Sequence, residues 1–272
     1  MDLNTVTEVV RPRSLESIPA WNKGDAFVAG GTWIFSEPQT GVRRLVDLTA
    51  LGWPALAQSD AGLAIAATCT LSQLEEFEPP EAWRAAAVIG QCCRSLLGSF
   101  KIRRIATVGG NLCLALPAAP MAALAVALDA TCEIWCPDGS NRQVDAQDFI
   151  LDAQKTCLAH GEILRGLHVP AHALAARYAF RQASLTEEGR SATLVIGRND
   201  APGLALTITA ATRRPLHIRF AIVPDASTLH HAIEKEVAAH GGWFDDKHGA
   251  PDWRRHMTLR LAAQITLELA AS

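Results

Sequence analysis

Phe27-Val28-Ala29-Gly30-Gly31-Thr32 and Ala106-Thr107-Val108-Gly109-Gly110-Asn111 carry one pattern twice. Each is a short apolar run, a glycine pair, and then a side chain able to hydrogen-bond. The pattern reads as a buried strand followed by a turn that no side chain may crowd, because glycine permits positive φ and close backbone approach. Consecutive amides in such turns can point inward and form an anion-binding nest. Two nests in one domain would clamp a pyrophosphate from both sides, with Thr32 and Asn111 adding side-chain hydrogen bonds. The alternative is that both pairs merely cap the next helix. Neither G-x-G-x-x-G nor G-x-x-x-x-G-K-[ST] occurs, which disfavours a dinucleotide-binding Rossmann domain and a P-loop NTPase.

Outward from these pairs, residues 5–10 read as a strand and Ser14 as the cap of a short helix over 14–21. Ala26–Ala29 is a strand, Thr32–Ser36 starts a helix that Pro38 limits, and Arg44–Leu48 is a further strand. This first lobe ends near residue 52. A second lobe, 53–172, begins with a strand at Leu63–Ala66 and a helix from Thr70 through Glu76. Apolar residues at helical spacing predict a helix over Glu81–Leu97. Phe100–Ile105 leads into the second glycine pair with Lys101, Arg103 and Arg104. Alternation there would send Lys101 and Arg103 to one face and Arg104 to the other. One cation facing phosphate and a solvated edge are both open. A helix over Ala118–Leu128 follows Pro117. Thr131–Cys136 and Asn141–Val144 form a hairpin about Asp138-Gly139, and Glu162–Val169 is a strand that Pro170 closes.

Beyond about residue 173 the pattern changes. Arg177–Ala183, Ser191–Gly197, Gly203–Ala210 and Leu216–Val223 read as strands, followed by helices over 226–239 and 251–270 with Asp252 as a cap. A meander plus terminal helices is an α+β arrangement.

The 272 residues are 49% hydrophobic and 19% charged, with a formal net charge of −3, which gives no electrostatic footprint for nucleic acid. The apolar stretch 112–128 holds prolines and lacks flanking basic clusters, so no membrane span is expected. Asp2 and Glu8 leave no signal-peptide core, so a cytoplasmic protein is expected. Seven cysteines, none in C-x-x-C, indicate no iron–sulfur centre on this chain. Cys132 and Cys136 share a strand face, as core residues or as a metal or disulfide pair. The nine histidines are scattered, with His230-His231 expected on a surface. No nucleophile and base stand out, which fits a protein whose cofactor carries the chemistry.

Taken together, these segments resemble the FAD-binding medium subunit of molybdenum hydroxylases, the xanthine dehydrogenase, aldehyde oxidoreductase and carbon monoxide dehydrogenase group. Ala29-Gly30-Gly31-Thr32 is similar to that family's A-G-G-T/H, and Thr107-Val108-Gly109-Gly110-Asn111 to its T-I/V-G-G-N/D. Lys101-Ile102-Arg103-Arg104-Ile105-Ala106 is similar to Q/K-I-R-N-x-A. Leu128-Asp129-Ala130, Gly161-Glu162-Ile163-Leu164 and Asp252-Trp253-Arg254-Arg255-His256 fit in the same order. The resemblance implies a two-lobed PCMH-type FAD-binding domain over 1–172 and a small C-terminal α+β domain over 173–272, with an antiparallel sheet plus helices. It implies FAD held by Ala29, Gly30, Gly31, Thr32, Trp33, Thr107, Gly109, Gly110 and Asn111, with Leu164 near the isoalloxazine or adenine and Arg181 as a further contact. It also implies partners: a large subunit with molybdopterin and a small subunit with 2Fe-2S centres, as a dimer of heterotrimers. FAD on this chain would accept electrons from the iron–sulfur centres and pass them to an external acceptor.

There is one departure. Where many members have A-S-P-A-x-D, this chain reads Ala115-Leu116-Pro117-Ala118-Ala119-Pro120, with proline in place of the acid. A structural subunit with weak or absent flavin binding is therefore the alternative. A self-sufficient flavin oxidase is disfavoured, because no substrate domain or base constellation is visible.

Overall fold

The computed structural model describes residues 3–271. Its first sheet holds β1 (Glu8–Val10), β2 (Asp25–Val28) and β3 (Arg44–Asp47), all parallel in the order β1-β3-β2. Ser14 caps only a single 3-10 turn over Leu15–Ser17, shorter than expected. Pro19 is the reason: the residue before it, Ile18, is already extended. Thr32–Ser36 is likewise one turn and no helix. Phe35 N–H donates to Gly31 O at 2.9 Å and Ser36 N–H to Trp33 O at 2.8 Å, and Pro38 stops propagation.

The second lobe is a five-stranded antiparallel sheet with helices on one face. β4 (Leu56–Ser59) and β5 (Gly62–Ala66) lead to α1 (Leu71–Glu75), whose cap Thr70 forms a capping box with Gln73. α2 (Ala86–Ser95) is shorter than the expected 81–97, because Pro79-Pro80 hold the approach in turns, with Trp83 N–H on Pro80 O. Phe100–Ile105 does not alternate. Its first residues form α3 (Phe100–Arg103), and the N–H groups of Ile105 and Ala106 fold back onto Ile102 O. Nor is the second glycine pair a turn after a strand. Thr107 caps α4 (Val108–Leu114), and Gly109-Gly110 lie in that helix's first turn. α5 (Pro120–Ala127) starts two residues later than expected, with Pro120 at its first position. It is apolar and buried all round.

The expected hairpin is β6 (Thr131–Trp135) with β7 (Asn141–Asp145). α6 (Ala146–Phe149), β8 (Ile150–Asp152) and β9 (Lys155–Thr156) lead to β10 (Ile163–Pro170), which lies at the centre of the order β4-β5-β10-β6-β7.

After α7 (Ala171–Ala175), β11 (Tyr178–Ala183), β12 (Thr193–Asp200), β13 (Gly203–Thr209) and β14 (Leu216–Phe220) form an antiparallel meander. α8 (Ala226–Ala239) and α9 (Pro251–Ala270) match the expected spans. Asp252 is not the cap of α9. Ala250 holds that position and Pro251 starts the helix, while Asp252 accepts only from its neighbour Trp253 N–H, at 2.8 Å.

This sheet is buried on both faces. Leu194 and Ile196 join α5 and the second lobe in one core, whereas Val195 joins α8 and α9 in another. Two-sided burial explains why the strands read as continuous apolar runs. Arg254, 1% exposed, ties the second core together by donating to Gly249 O, Ala192 O and Ala210 O and pairing with Asp246.

Candidate functional site

The two glycine segments meet at a cleft between the lobes. A Cβ on Gly30 would lie 1.8 Å from Ile105 O, so the first segment touches the backbone just before the second. Gly31 has φ +70°, and the Phe35 ring packs beneath it. This geometry leaves the N–H groups of Gly30 through Ile34 with no protein acceptor among the described residues. A run of open amides around a left-handed residue is an anion-binding arrangement. Thr32 is half-buried within this run and Trp33 is exposed.

The second segment plays a different part. Val108 N–H donates to Cys69 O at 2.9 Å and Gly109 N–H to Ala67 O at 2.8 Å. Gly110 N–H donates to the Thr107 hydroxyl at 3.1 Å, and Asn111 N–H to Thr107 O at 3.0 Å. With the amides of Val108 through Asn111 engaged, the glycine pair itself forms no second nest. Gly109 is glycine because α4 presses on β5's end, where a Cβ would sit 2.5 Å from Ala67 Cβ. Gly110 is exposed, with only the Thr107 hydroxyl near its would-be Cβ. Asn111 is also committed: its Oδ1 accepts from Met121 N–H at 2.9 Å. It thereby serves as the N-terminal cap that Ala119 cannot supply to α5, and Pro120 beside it is buried and donates nothing.

The cleft has a volume of about 150 Å³ and brings Ala29, Gly109, Gly110 and Leu164 together. It also includes residues whose part the sequence did not disclose: Phe27, Leu48, Ala67, Thr68, Cys113 and Glu162. Thr68 and Ala67 directly follow an alternating strand, a place where an active surface is commonly built; that was the available signal. Glu162 stands within the Gly-Glu-Ile-Leu segment. Its carboxylate accepts from Arg142 at 2.6 and 2.8 Å and from Ala159 N–H at 2.7 Å. The Arg142 hydrogen bonds hold its pKa down at about 2 against the opposing effect of burial.

Some expected residues lie elsewhere. Arg181 stands on β11, where it pairs with Glu268 of α9 at 2.5 Å, and does not line the cleft. None of the three cations before the second glycine pair lines it either. Arg103 pairs with Glu75 at 3.7 Å, and Arg104 lies over the Phe100 ring. The cysteines are all free, and no group of His, Cys, Asp or Glu among the described residues is arranged to hold a metal ion. His230 and His231 are exposed on α8, as expected. No helix among the described residues is long and apolar enough to cross a membrane.

Residues 5–172 match the family model described as the FAD binding domain in molybdopterin dehydrogenase. The chain is 26% identical over 267 residues to the xanthine dehydrogenase FAD-binding subunit of Escherichia coli O157:H7, covering 90% of this chain and 88% of that one. Its fold superposes on a chain of quinoline 2-oxidoreductase from Pseudomonas putida 86 with a TM-score of 0.80, at 22% identity, covering 100% and 99% of the two chains. A chain of reconstituted CO dehydrogenase from Oligotropha carboxidovorans gives a TM-score of 0.81 at 20% identity, covering 97% of each.

Proposed function

This chain belongs to the family of FAD-binding domains of molybdopterin dehydrogenases, and from that premise we propose that it is the electron-transferring FAD subunit of a heteromeric molybdenum hydroxylase. The observation that carries the reading is the run of open amides at Gly30–Ile34 beside a cleft lined by Gly110 and Leu164. The residues fit a dinucleotide, with the pyrophosphate at the open amides. The cleft would enclose only part of such a molecule, and the exposed loop that carries Trp33 would cover more of it. FAD supplies two-electron and one-electron redox chemistry when bound. The chain's own residues bind and shield it: Gly30–Ile34 and Thr32 donate to phosphate, Gly109 and Gly110 leave space, and Leu164 excludes water. Arg181, engaged with Glu268, takes no part.

On this reading residues 1–172 are the flavin domain and 173–272 a second, α+β domain. A large molybdopterin subunit would oxidise the substrate, and a small 2Fe-2S subunit would relay its electrons to this chain, in a cytoplasmic dimer of heterotrimers. The test is anaerobic addition of substrate to the assembled complex. Bleaching of the flavin absorbance supports the relay. Oxidation of substrate with the flavin left oxidised, while another acceptor is reduced, contradicts it.

A second reading, a scaffold subunit with little flavin, is favoured by one observation. Position 120 offers no side-chain acceptor, and Glu162, on the cleft wall, is tied to Arg142. Flavin content separates the two.

A further inference from the structure

The opposite face of the five-stranded sheet carries a second cavity, of about 280 Å³. Its floor is made by small residues that share this face, Ala57, Ala64, Ala66 and Gly166. Its walls include Arg165, Glu133, Gln143, Thr131 and His168. It is not a lobe of the flavin cleft: Leu164 fronts that cleft, whereas the cavity begins one residue later.

Arg165 is there because β10 is irregular. Leu164 pairs with Ile134 and Gly166 with Glu133, so Arg165 is an extra residue, a β-bulge. Leu164 and Leu167, three apart, both enter the same core, which strict alternation would forbid. The bulge turns Arg165 outward onto two indoles. Its guanidinium carbon lies 4.5 Å from the Trp53 ring centre and 5.7 Å from that of Trp135. The two indoles brace each other edge-on at 5.2 Å. Contact with the indole faces holds the guanidinium in place without using its N–H donors. Among the described residues this guanidinium makes no hydrogen bond or close ion pair; burial disfavours its charge, and the nearby Glu133 carboxylate offsets that only in part. A half-buried guanidinium beside a cavity, with Glu133 near but not hydrogen-bonded to it, has donors open to a planar anion.

We propose that this cavity is a binding site for a small organic monocarboxylate, held by Arg165. A planar carboxylate matches the fork in a bidentate manner, and the small floor residues leave room for an organic group. Glu133 lies in the same cavity and opposes any anion, about twice as strongly for a dianion such as the phosphate species present above neutral pH as for a monocarboxylate. A single negative charge is therefore penalised less than two.

Calorimetric titration of the full chain with benzoate tests this, with inorganic phosphate as the competing probe. Flavin content does not enter the readout, so the result is independent of the proposed function. Benzoate is expected to saturate one site, with about tenfold weaker binding in Arg165→Gln. Glu133→Gln, which keeps the fork and removes the competing charge, is expected to bind benzoate more tightly. This second variant keeps the proposal testable if Arg165→Gln does not fold. The proposal is overturned by absence of saturable benzoate binding, by equal affinity in the variants, or by phosphate binding as tightly as benzoate.

Discussion

Gly109 and Gly110 are adjacent and both line the cleft, yet only Gly109 is also fixed by packing. Gly109 is a packing residue, fixed by the 2.5 Å approach to Ala67. Gly110 faces the cleft. Gly109→Ala should therefore destabilise the fold by about 1–3 kcal/mol in denaturant titration. Gly110→Ala should leave stability within about 1 kcal/mol of wild type, since alanine suits a helix better. Its added methyl should instead weaken FAD retention about tenfold, read by flavin release on dilution. The sequence made the glycine requirement legible at both positions but not its cause. An expected amide nest and a helix start pressed on a strand demand the same residue. What decides between them is where Val108, Gly109 and Gly110 send their N–H groups, which depends on the distant Ala67 and Cys69.

Among the elements, β10 shows how much a single strand positions. Its start, Ile163-Leu164, fronts the cleft between the lobes, its bulge places Arg165 on the outer face, and Glu162 just before it anchors Arg142 of β7. Because the Glu162 carboxyl pKa is lowered in the folded state, its contribution is fully present above the ordinary value of 4.5 and is lost as pH falls toward about 2. Arg142 is partly exposed, which limits that contribution to about 1–2 kcal/mol. Glu162→Gln should thus lower stability at pH 7 by that amount and lose its deficit relative to wild type near pH 2, measured by urea titration. The strand, the hairpin and both terminal helices were legible because their periodicity is sustained or bounded by Gly and Pro. The bulge was not, since one extra residue leaves the apolar composition of the strand unchanged. Phe100–Arg103 departed from expectation for a related reason: four residues are too few to distinguish alternation from a helical turn.

Across the whole molecule, the flavin-binding half and the C-terminal sheet share a core through α5 and are pinned by charge. Asp129 accepts from Arg198 at 2.7 Å and from Arg219 at 2.6 Å. Arg198 is only 3% exposed, and its charge needs this partner together with Asp200. Asp129→Asn should cost about 2–4 kcal/mol of thermal stability, because a buried guanidinium loses part of its compensation. His217 sits in the same cluster, its Nδ1 on the Thr207 hydroxyl at 2.9 Å. Burial lowers its pKa to about 4, below the ordinary 6.5. The unfolded chain therefore takes up this proton first, and stability falls as pH drops from 6.5 to 4. His217→Gln should flatten that segment of the melting-temperature profile, distinct from the Glu162 loss at lower pH. The shared core also explains why composition alone suggested a change near residue 173 but could not reveal that Leu194 and Ile196 pack with the first half.

FAD is proposed to bind at the Gly30–Ile34 amides and in the cleft beside Gly110. The most direct measurement is the absorption spectrum of the purified chain, with released FAD counted per protein. Oxidised-flavin bands at ~375 and ~450 nm, from the cofactor's own isoalloxazine chromophore, and about one FAD per chain are expected. A colourless chain that takes up no added FAD, alone or with its partner subunits, would contradict it and leave the scaffold reading.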